Sequence, residues 1–294
     1  MSQVRMHAEC LRCLLQKNLN AYPDSATPEQ RTAYMQRVLT ILADAPLHVG
    51  APVLIREIRR LKEEMFGIRE EMAPVKRHFN ALMLQKANEV EKRILASEDP
   101  LLAALRYALI GNYIDFGAGG HNVSEEELNR LIDTADSVAV REDNYTALRN
   151  DLSSAQSVVY ITDNCGEVVM DKLFLRAIGA FNPCAELTVL VRGGDVLNDA
   201  NRDDAEQVGL AEVARVMDNG NDVAGTWMEE ISDEANALLQ NADVIIAKGQ
   251  ANFETLRGCG LNVYYLFMCK CELFANRFRV PKCTGMLLRD QESC

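Results

Sequence analysis

The 294-residue chain contains no apolar run approaching the roughly 20 residues that span a bilayer. Its opening, MSQVRMHAECLRC, lacks the apolar core of a secretory signal. These two absences lead us to expect a cytoplasmic protein with no membrane partner. Basic residues are in the minority: 31 Lys and Arg face 43 Asp and Glu, for a net charge of −12. Nothing concentrates the Lys and Arg into a compensating stripe, so a nucleic-acid backbone is not an expected partner. No strand-like run is followed by G-x-G-x-x-G, and G-x-x-x-x-G-K-[ST] does not occur, which argues against a dehydrogenase and a P-loop kinase. Histidine is scarce as well. His7, His48, His78 and His121 all fall in the helical half described below, so no Ser-His-Asp arrangement is indicated.

What is present in quantity is ordinary globular sequence, 48% apolar and 25% charged, long enough for one large domain plus a smaller one, or for a single domain with a helical extension. Cysteine is the exception. Nine of them in a chain with no export signal read as thiols or metal ligands and not as a disulfide framework.

Residues 1 to about 150 read as helices punctuated by proline. Cys10 to Leu15 lies on a first helix, Thr27-Pro28-Glu29 is a cap followed by proline at the first helical position, and Pro52 and Pro74 sit at similar starts. Pro100 opens LLAALRYALIGNYID, and Ser124 to Glu127 is a capping box. From Ser157 the period changes. Short β-rich runs at Val158 to Ile161, Leu187 to Val191, Val213 to Val216, Val244 to Ile246 and Val263 to Phe267 alternate with segments long enough for crossover helices. The expected fold class is therefore α/β: a mostly parallel sheet with helices on both faces over residues 151–294, preceded by an N-terminal helical bundle or cap over 1–150.

The stretch SVVYITDNCGEVVMDKLFL, Ser157 to Leu175, is a strand, a tight loop and a helix. Loops at the carboxyl ends of parallel strands open onto the ligand crevice. Asp163 and Asn164 there offer two adjacent hard oxygen ligands suited to a divalent cation such as Mg²⁺ or Mn²⁺, although Asp-Asn-x-Gly is also good turn chemistry. Asp199 follows the second run and Lys248 ends the fourth. Taken singly, Asp199 reads as a helix N-cap and Lys248 as a solvated lysine beside a turn. Parallel strands bring all four residues to one edge, where carboxylates for a metal and a lysine for an anion make a phosphoryl-transfer site. Gly249 adds free backbone N–H groups at a helix start.

The strings TDNCGEVVMDKLFL, LNDANRDDAEQVGL, AKGQANFETL and GNYIDFG, taken in order, resemble the signatures of the damage-control phosphatases, metal-dependent enzymes that hydrolyse phosphorylated metabolites. The resemblance runs from the N-terminal Cys-x-x-Cys to Lys270-Cys271, and the paired cysteine motifs point to the prokaryotic-type branch. It implies a Rossmann-like core, a metal held by Asp163, Asn164 and Asp199, with Asp163 and Lys248 catalytic, and Lys248 in the phosphate pocket. Asn112, Asp115, Gly249 and Asn252 become candidate substrate-binding residues, Asn112 and Asp115 at the rim, where a helix-end turn is their other reading. Cys165 departs from the small residue expected before Gly166, and a thiol there would alter metal preference or oxidation sensitivity.

The expected activity is thus hydrolysis of phosphate monoesters of small metabolites (sugar phosphates, nucleotides or phosphorylated cofactors) with Mn²⁺, Mg²⁺, Co²⁺ or Ni²⁺. Two alternatives stand beside it. Ile114 to Gly120 superficially resembles the acidic, glycine-rich loop of S-adenosylmethionine-dependent methyltransferases, but that loop should follow a strand, and Pro100 to Tyr113 has helical spacing. A non-enzymatic metal- or thiol-dependent binding protein is the other. Cys10 and Cys13, three apart on a helix, together with Cys269 and Cys271 at the last strand end, offer a four-thiolate site for structural zinc or iron if the two ends of the chain meet; buried thiols are the alternative. Neither the particular metabolite nor the oligomeric state is legible.

Overall fold

The structure, a computed structural model, describes residues 5–69, 71–113 and 125–290. Helices α1 (Ala8–Asn18), α2 (Pro28–Ala43), α3 (Ala51–Phe66), α4 (Ala73–Ala96), α5 (Pro100–Tyr113), α6 (Glu125–Asp133) and α7 (Glu142–Ser154) come first. The local chemistry accounts for their starts. Thr27 and Gln30 form a reciprocal capping box at α2, and proline occupies the first turn of α2, α3 and α4, where its missing N–H costs nothing. Gly67 ends α3 in the left-handed region, φ 65°, as C-terminal glycines do. Ser124 and Asp115 lie outside the described residues.

Alternation begins at β1 (Ser157–Ile161) and continues through α8 (Glu167–Phe181), β2 (Glu186–Val191), α9 (Arg202–Val208), β3 (Arg215–Asp218), α10 (Asp233–Gln240), β4 (Val244–Lys248), α11 (Gly249–Leu256), β5 (Val263–Cys269), α12 (Glu272–Phe278) and β6 (Thr284–Arg289). The sheet order is β3-β2-β1-β4-β5-β6. β3, β2, β1, β4 and β5 are parallel in register pairs such as Tyr160 with Val189 and Tyr160 with Ile246, and β6 returns antiparallel along β5. Four of the five expected runs are strands as placed, and the third, expected at Val213 to Val216, begins two residues later at Arg215 because Leu210–Glu212 takes up a 3-10 turn before it. β6 was not foreseen: Thr-Gly-Met-Leu-Leu-Arg has one β-branched residue and a glycine, and is placed by pairing with β5.

Strand periodicity divides the core in two. Val158, Tyr160, Val189 and Ile246 point to the face covered by α4, α5, α7 and α8. Val159, Ile161, Ile245 and Phe267 point to the face covered by α10, α11 and α12. The change of secondary structure near residue 150 is accordingly not a break in packing, because α5 lies against α8 and β5 and shares the larger cluster with the sheet. Helices α1 to α3 form a separate apolar cluster that closes over Val223 and Trp227.

Polar clasps fix that cluster to the α/β part. Arg5 donates to the carbonyls of Glu254 (2.8 Å) and Arg257 (2.9 Å) at the end of α11, Arg56 pairs with Glu230, and Arg59 with Asp222 at 3.0 Å. No helix among the described residues is long and apolar enough to cross a membrane.

Because Leu109 on α5 is fully buried in the cluster shared with the sheet, Leu109→Ala is expected to cost about 2–5 kcal/mol. Urea unfolding should show this as a lower midpoint of a single transition that includes the sheet; a loss confined to a separate helical transition would contradict the shared core.

Candidate active site

Strand order reverses direction at β1, whose neighbours β2 and β4 are reached by crossovers on opposite sides. At such a switch point the loops part and leave a crevice beyond the strand ends. Asp163 and Asn164 follow β1, Asp199 follows β2, Lys248 ends β4 and Gly249 begins α11. The structure brings them together. Asn164 and Asp199 form an isolated antiparallel bridge, flanked by Cys165 N–H donating to Asn198 O (2.8 Å) and Ala200 N–H to Asp163 O (2.7 Å). The cap of α9 is Asn201, whose side chain accepts from the Asp203 and Asp204 N–H groups, so Asp199 is released from that role.

The carboxylate of Asp163 is buried. Its Oδ2 accepts from Asn112 Nδ2 (2.9 Å) and Asn164 Nδ2 (2.8 Å). The same two amides donate to Glu167 Oε2, at 3.0 and 3.1 Å. Asn112 in turn accepts from the Met268 N–H at 2.9 Å, which moors α5 to β5 at the crevice. Burial, with the charges of Glu167 and Asp199 adding to it, holds the Asp163 pKa well above the usual carboxylate range. Burial raises Asp199 too, against the opposing pull of Arg192, whose Nε donates to Asp199 Oδ2 at 2.6 Å.

Lys248 is fully buried. Its ammonium donates to Glu167 Oε1 (2.5 Å), Asp171 Oδ1 (2.6 Å) and the Ala108 carbonyl (2.9 Å), which accounts for all three of its N–H bonds. Burial alone would lower its pKa, but Asp171 and Glu167 outweigh that and hold it above the ordinary lysine value. Asp171, also bonded to Tyr160 Oη (2.7 Å), is pushed up by burial to about 7. In place of a solvated ammonium at the rim, the structure gives Lys248 a sealed charge network beneath Asp163.

Gly249 makes room for Asp163. Its φ is +79°, and a Cβ there would lie 2.0 Å from Asp163 Oδ2. Asn252 is likewise internal: it donates to Thr162 O (3.0 Å) and Lys248 O (2.6 Å) and accepts from Thr226 Oγ1 (2.9 Å), joining β1, β4 and the loop after β3. Beneath the site, Asn80 accepts from Gly166 N–H (2.6 Å) and donates to Asp204 (2.8 Å). Cys165 is buried beside this group, and burial pushes its thiol up to about 12.

Cys10 lies within electrostatic reach of Cys13 and Cys271, and Cys269 within reach of Cys271. Cys13 is exposed, Cys269 packs into the core on the α11 face, and no group of three or more His, Cys, Asp or Glu among the described residues is placed to hold a metal ion. α1 turns Cys13 outward while β5 turns Cys269 inward. Asp163, Asn164 and Asp199 are two carboxylates and an amide.

A family model for the damage-control phosphatase ARMT1-like domain matches residues 6–284. The chain belongs to this family. A damage-control phosphatase of Archaeoglobus fulgidus is 34% identical over 221 residues, 74% of this chain and 75% of that protein. One from Pyrococcus horikoshii is 31% identical over 210 residues, 71% of each. An uncharacterised protein of Methanocaldococcus jannaschii is 27% identical over 299 residues, 97% of this chain and 96% of that one. The crystal structure of a DUF89 family protein from P. horikoshii superposes with a TM-score of 0.80 at 25% identity, covering 97% of this chain and 99% of that chain. Membership agrees with the helical Pro100–Tyr113 segment, which denies the following acidic, glycine-rich run the strand that a methyltransferase loop requires.

Sequence reasoning missed Glu167, Asp171 and Arg192. The first two were visible in principle as an acidic pair four residues apart inside an otherwise apolar helix, a spacing that puts both on one face. Lys248→Met should leave them buried without their cation, and is expected to destabilise the protein by about 3–5 kcal/mol, read as a lowered urea midpoint. Gly249→Ala should displace the Asp163 carboxylate, visible in a crystal structure of the variant, and cost about 1–3 kcal/mol through its left-handed φ.

Proposed function

We propose that this phosphatase-family chain hydrolyses phosphate monoesters of small metabolites with a divalent cation held by Asp163, Asn164 and Asp199. The observation that carries the reading is a charge imbalance. Asp163, Glu167, Asp171 and Asp199 are buried together, and the buried cations bonded to them are Arg192 and Lys248. When all four carboxylates ionise, two negative charges are left over at the strand ends, with Lys270 contributing favourably to Asp163 from partway out. Buried charge of that size needs compensation, and a divalent cation supplies it.

The donors fit such an ion. Asp163 Oδ2 is engaged by Asn112 and Asn164, which leaves Oδ1. Asn164 turns its amide nitrogen to the neighbouring carboxylates, which leaves its carbonyl oxygen. Asp199 is steadied by Arg192 through one oxygen. A hard-oxygen set of this kind suits Mg²⁺, Mn²⁺, Co²⁺ or Ni²⁺ without strong discrimination. When bound, the ion would supply Lewis acidity toward phosphoryl oxygen and a more acidic water.

The chain's own residues do the positioning. Asn112 and Asn164 orient Asp163 and Glu167 as a pair, and Lys248 holds Glu167 and Asp171 in place beneath them. Lys248 thus acts on the phosphate through these carboxylates in this reading. Selectivity among sugar phosphates, nucleotides and phosphorylated cofactors falls to residues over the crevice from the α5 end and the helical N-terminal part.

Asp163→Ala removes a charged ligand, so phosphate release from generic esters should fall by several orders of magnitude while the fold persists. In the same protein, adding Mn²⁺ should raise the thermal midpoint of wild type by several degrees and leave the variant unmoved. Near-normal turnover by folded Asp163→Ala at saturating metal would refute the assignment, and phosphate release under none of the four metals would favour a binding protein.

A further inference from the structure

Arg192 stands immediately after β2, beside both carboxylates assigned to the cation. Its side chain is fully buried. The Nε donates to Asp199 Oδ2 at 2.6 Å, and Nη2 lies 3.8 Å from Asp163 Oδ1, too far for a hydrogen bond. Neither Nη1 nor Nη2 has a hydrogen-bond partner among the described residues, although both atoms are buried. A charged donor left unmatched in the interior costs more than a neutral one. Such groups in a native fold call for an explanation, a missing ligand among them.

We propose that the two Nη groups of Arg192 are a binding site for the non-bridging oxygens of the phosphoryl group. This rests on the phosphatase reading above and names the residue that holds the transferred group. Three features select that ligand. The guanidinium presents a planar fork matched to tetrahedral oxyanions. Its Nε is committed to Asp199, so the fork is fixed in place next to the cation donors. The other buried cation of the site, Lys248, has all its N–H bonds taken by Glu167, Asp171 and Ala108, so it cannot serve without breaking them. Arg192 therefore joins two tasks in one side chain, steadying a ligand carboxylate with one nitrogen and receiving substrate oxygen with the others.

The test uses inorganic phosphate as probe on the full-length protein loaded with Mg²⁺. Calorimetry should show phosphate binding at least tenfold weaker in Arg192→Lys than in wild type, with Mg²⁺ affinity changed less than threefold, since lysine keeps the charge beside Asp199 and loses the fork. Equal phosphate affinity in the two proteins overturns the proposal. So does a loss of Mg²⁺ affinity that accounts for the whole loss of phosphate, which would make Arg192 only a support for Asp199. A second measurement needs no folded variant: in wild type labelled with ¹⁵N at the arginine guanidinium, slowly exchanging buried Nη resonances should shift on adding phosphate, and their indifference overturns the proposal. Ester hydrolysis distinguishes the two layers. Hydrolysis by wild type with Nη signals indifferent to phosphate removes the Arg192 site alone. Nη signals that respond without hydrolysis under any of the four metals keep the oxyanion site and remove the phosphatase reading.

Discussion

The rest of the site depends on the burial of Lys248 between Glu167 and Asp171. An ammonium and two carboxylates without solvent are tolerable only if each is bonded in good geometry, and the fold is arranged to do so. Lys248 is the last residue of β4, Glu167 and Asp171 occupy successive turns of α8, and the third bond comes from the carbonyl of Ala108 on α5. Strand, crossover helix and N-terminal helix are thereby held at one point. Glu167 then passes the constraint upward, since its second oxygen shares Asn112 and Asn164 with Asp163.

This layering explains why an acidic crevice can be stable. Next to the solvent side are the carboxylates whose charge is incompletely compensated, Asp163 and Asp199. Below them one ammonium is shared by two carboxylates, each held by a hydrogen bond. Farther down, Tyr160 and the apolar residues of α5 and α8 close the core. A second seam of the same kind runs through Asn80, Gly166 and Asp204, with Lys76 at 2.6 Å from Asp204, and fixes the turn after β1 to α4 and α9.

Much of this was legible in the sequence because it depends on short-range rules. The β-rich runs, the proline-led helices and the convergence of Asp163, Asn164, Asp199 and Lys248 at one edge follow from periodicity and from parallel topology. What was not legible depends on which side of a residue faces inward. Lys248 reads as solvated until α8 supplies two carboxylates. Asn252 reads as a candidate substrate contact, and its bonds to Thr226, Thr162 and Lys248 come only with the tertiary fold. Arg192 is one more arginine after a strand until Asp199 folds back beside it. The cysteines illustrate the same limit from the other side: spacing alone puts pairs on one face, but α1 shows Cys13 to water while β5 sends Cys269 into the core. β6 was missed because its partner, and not its own composition, makes it a strand.

The clasp made by Arg5 has a consequence for the order in which the molecule is made. Its bond to the Glu254 carbonyl joins residues 249 positions apart, so Arg5 is synthesised well before this partner. Trp227 and Val223, which the α1 to α3 cluster closes over, arrive nearly as late. Until those residues are made, helices α1 to α3 carry apolar surface that Val223 and Trp227 later cover, the state in which nascent chains are prone to associate wrongly. Contacts of such long sequence separation also slow folding. α11 begins at Gly249 against Asp163 and ends at the carbonyls that Arg5 holds, so the crevice and this distant clasp are completed by the same helix.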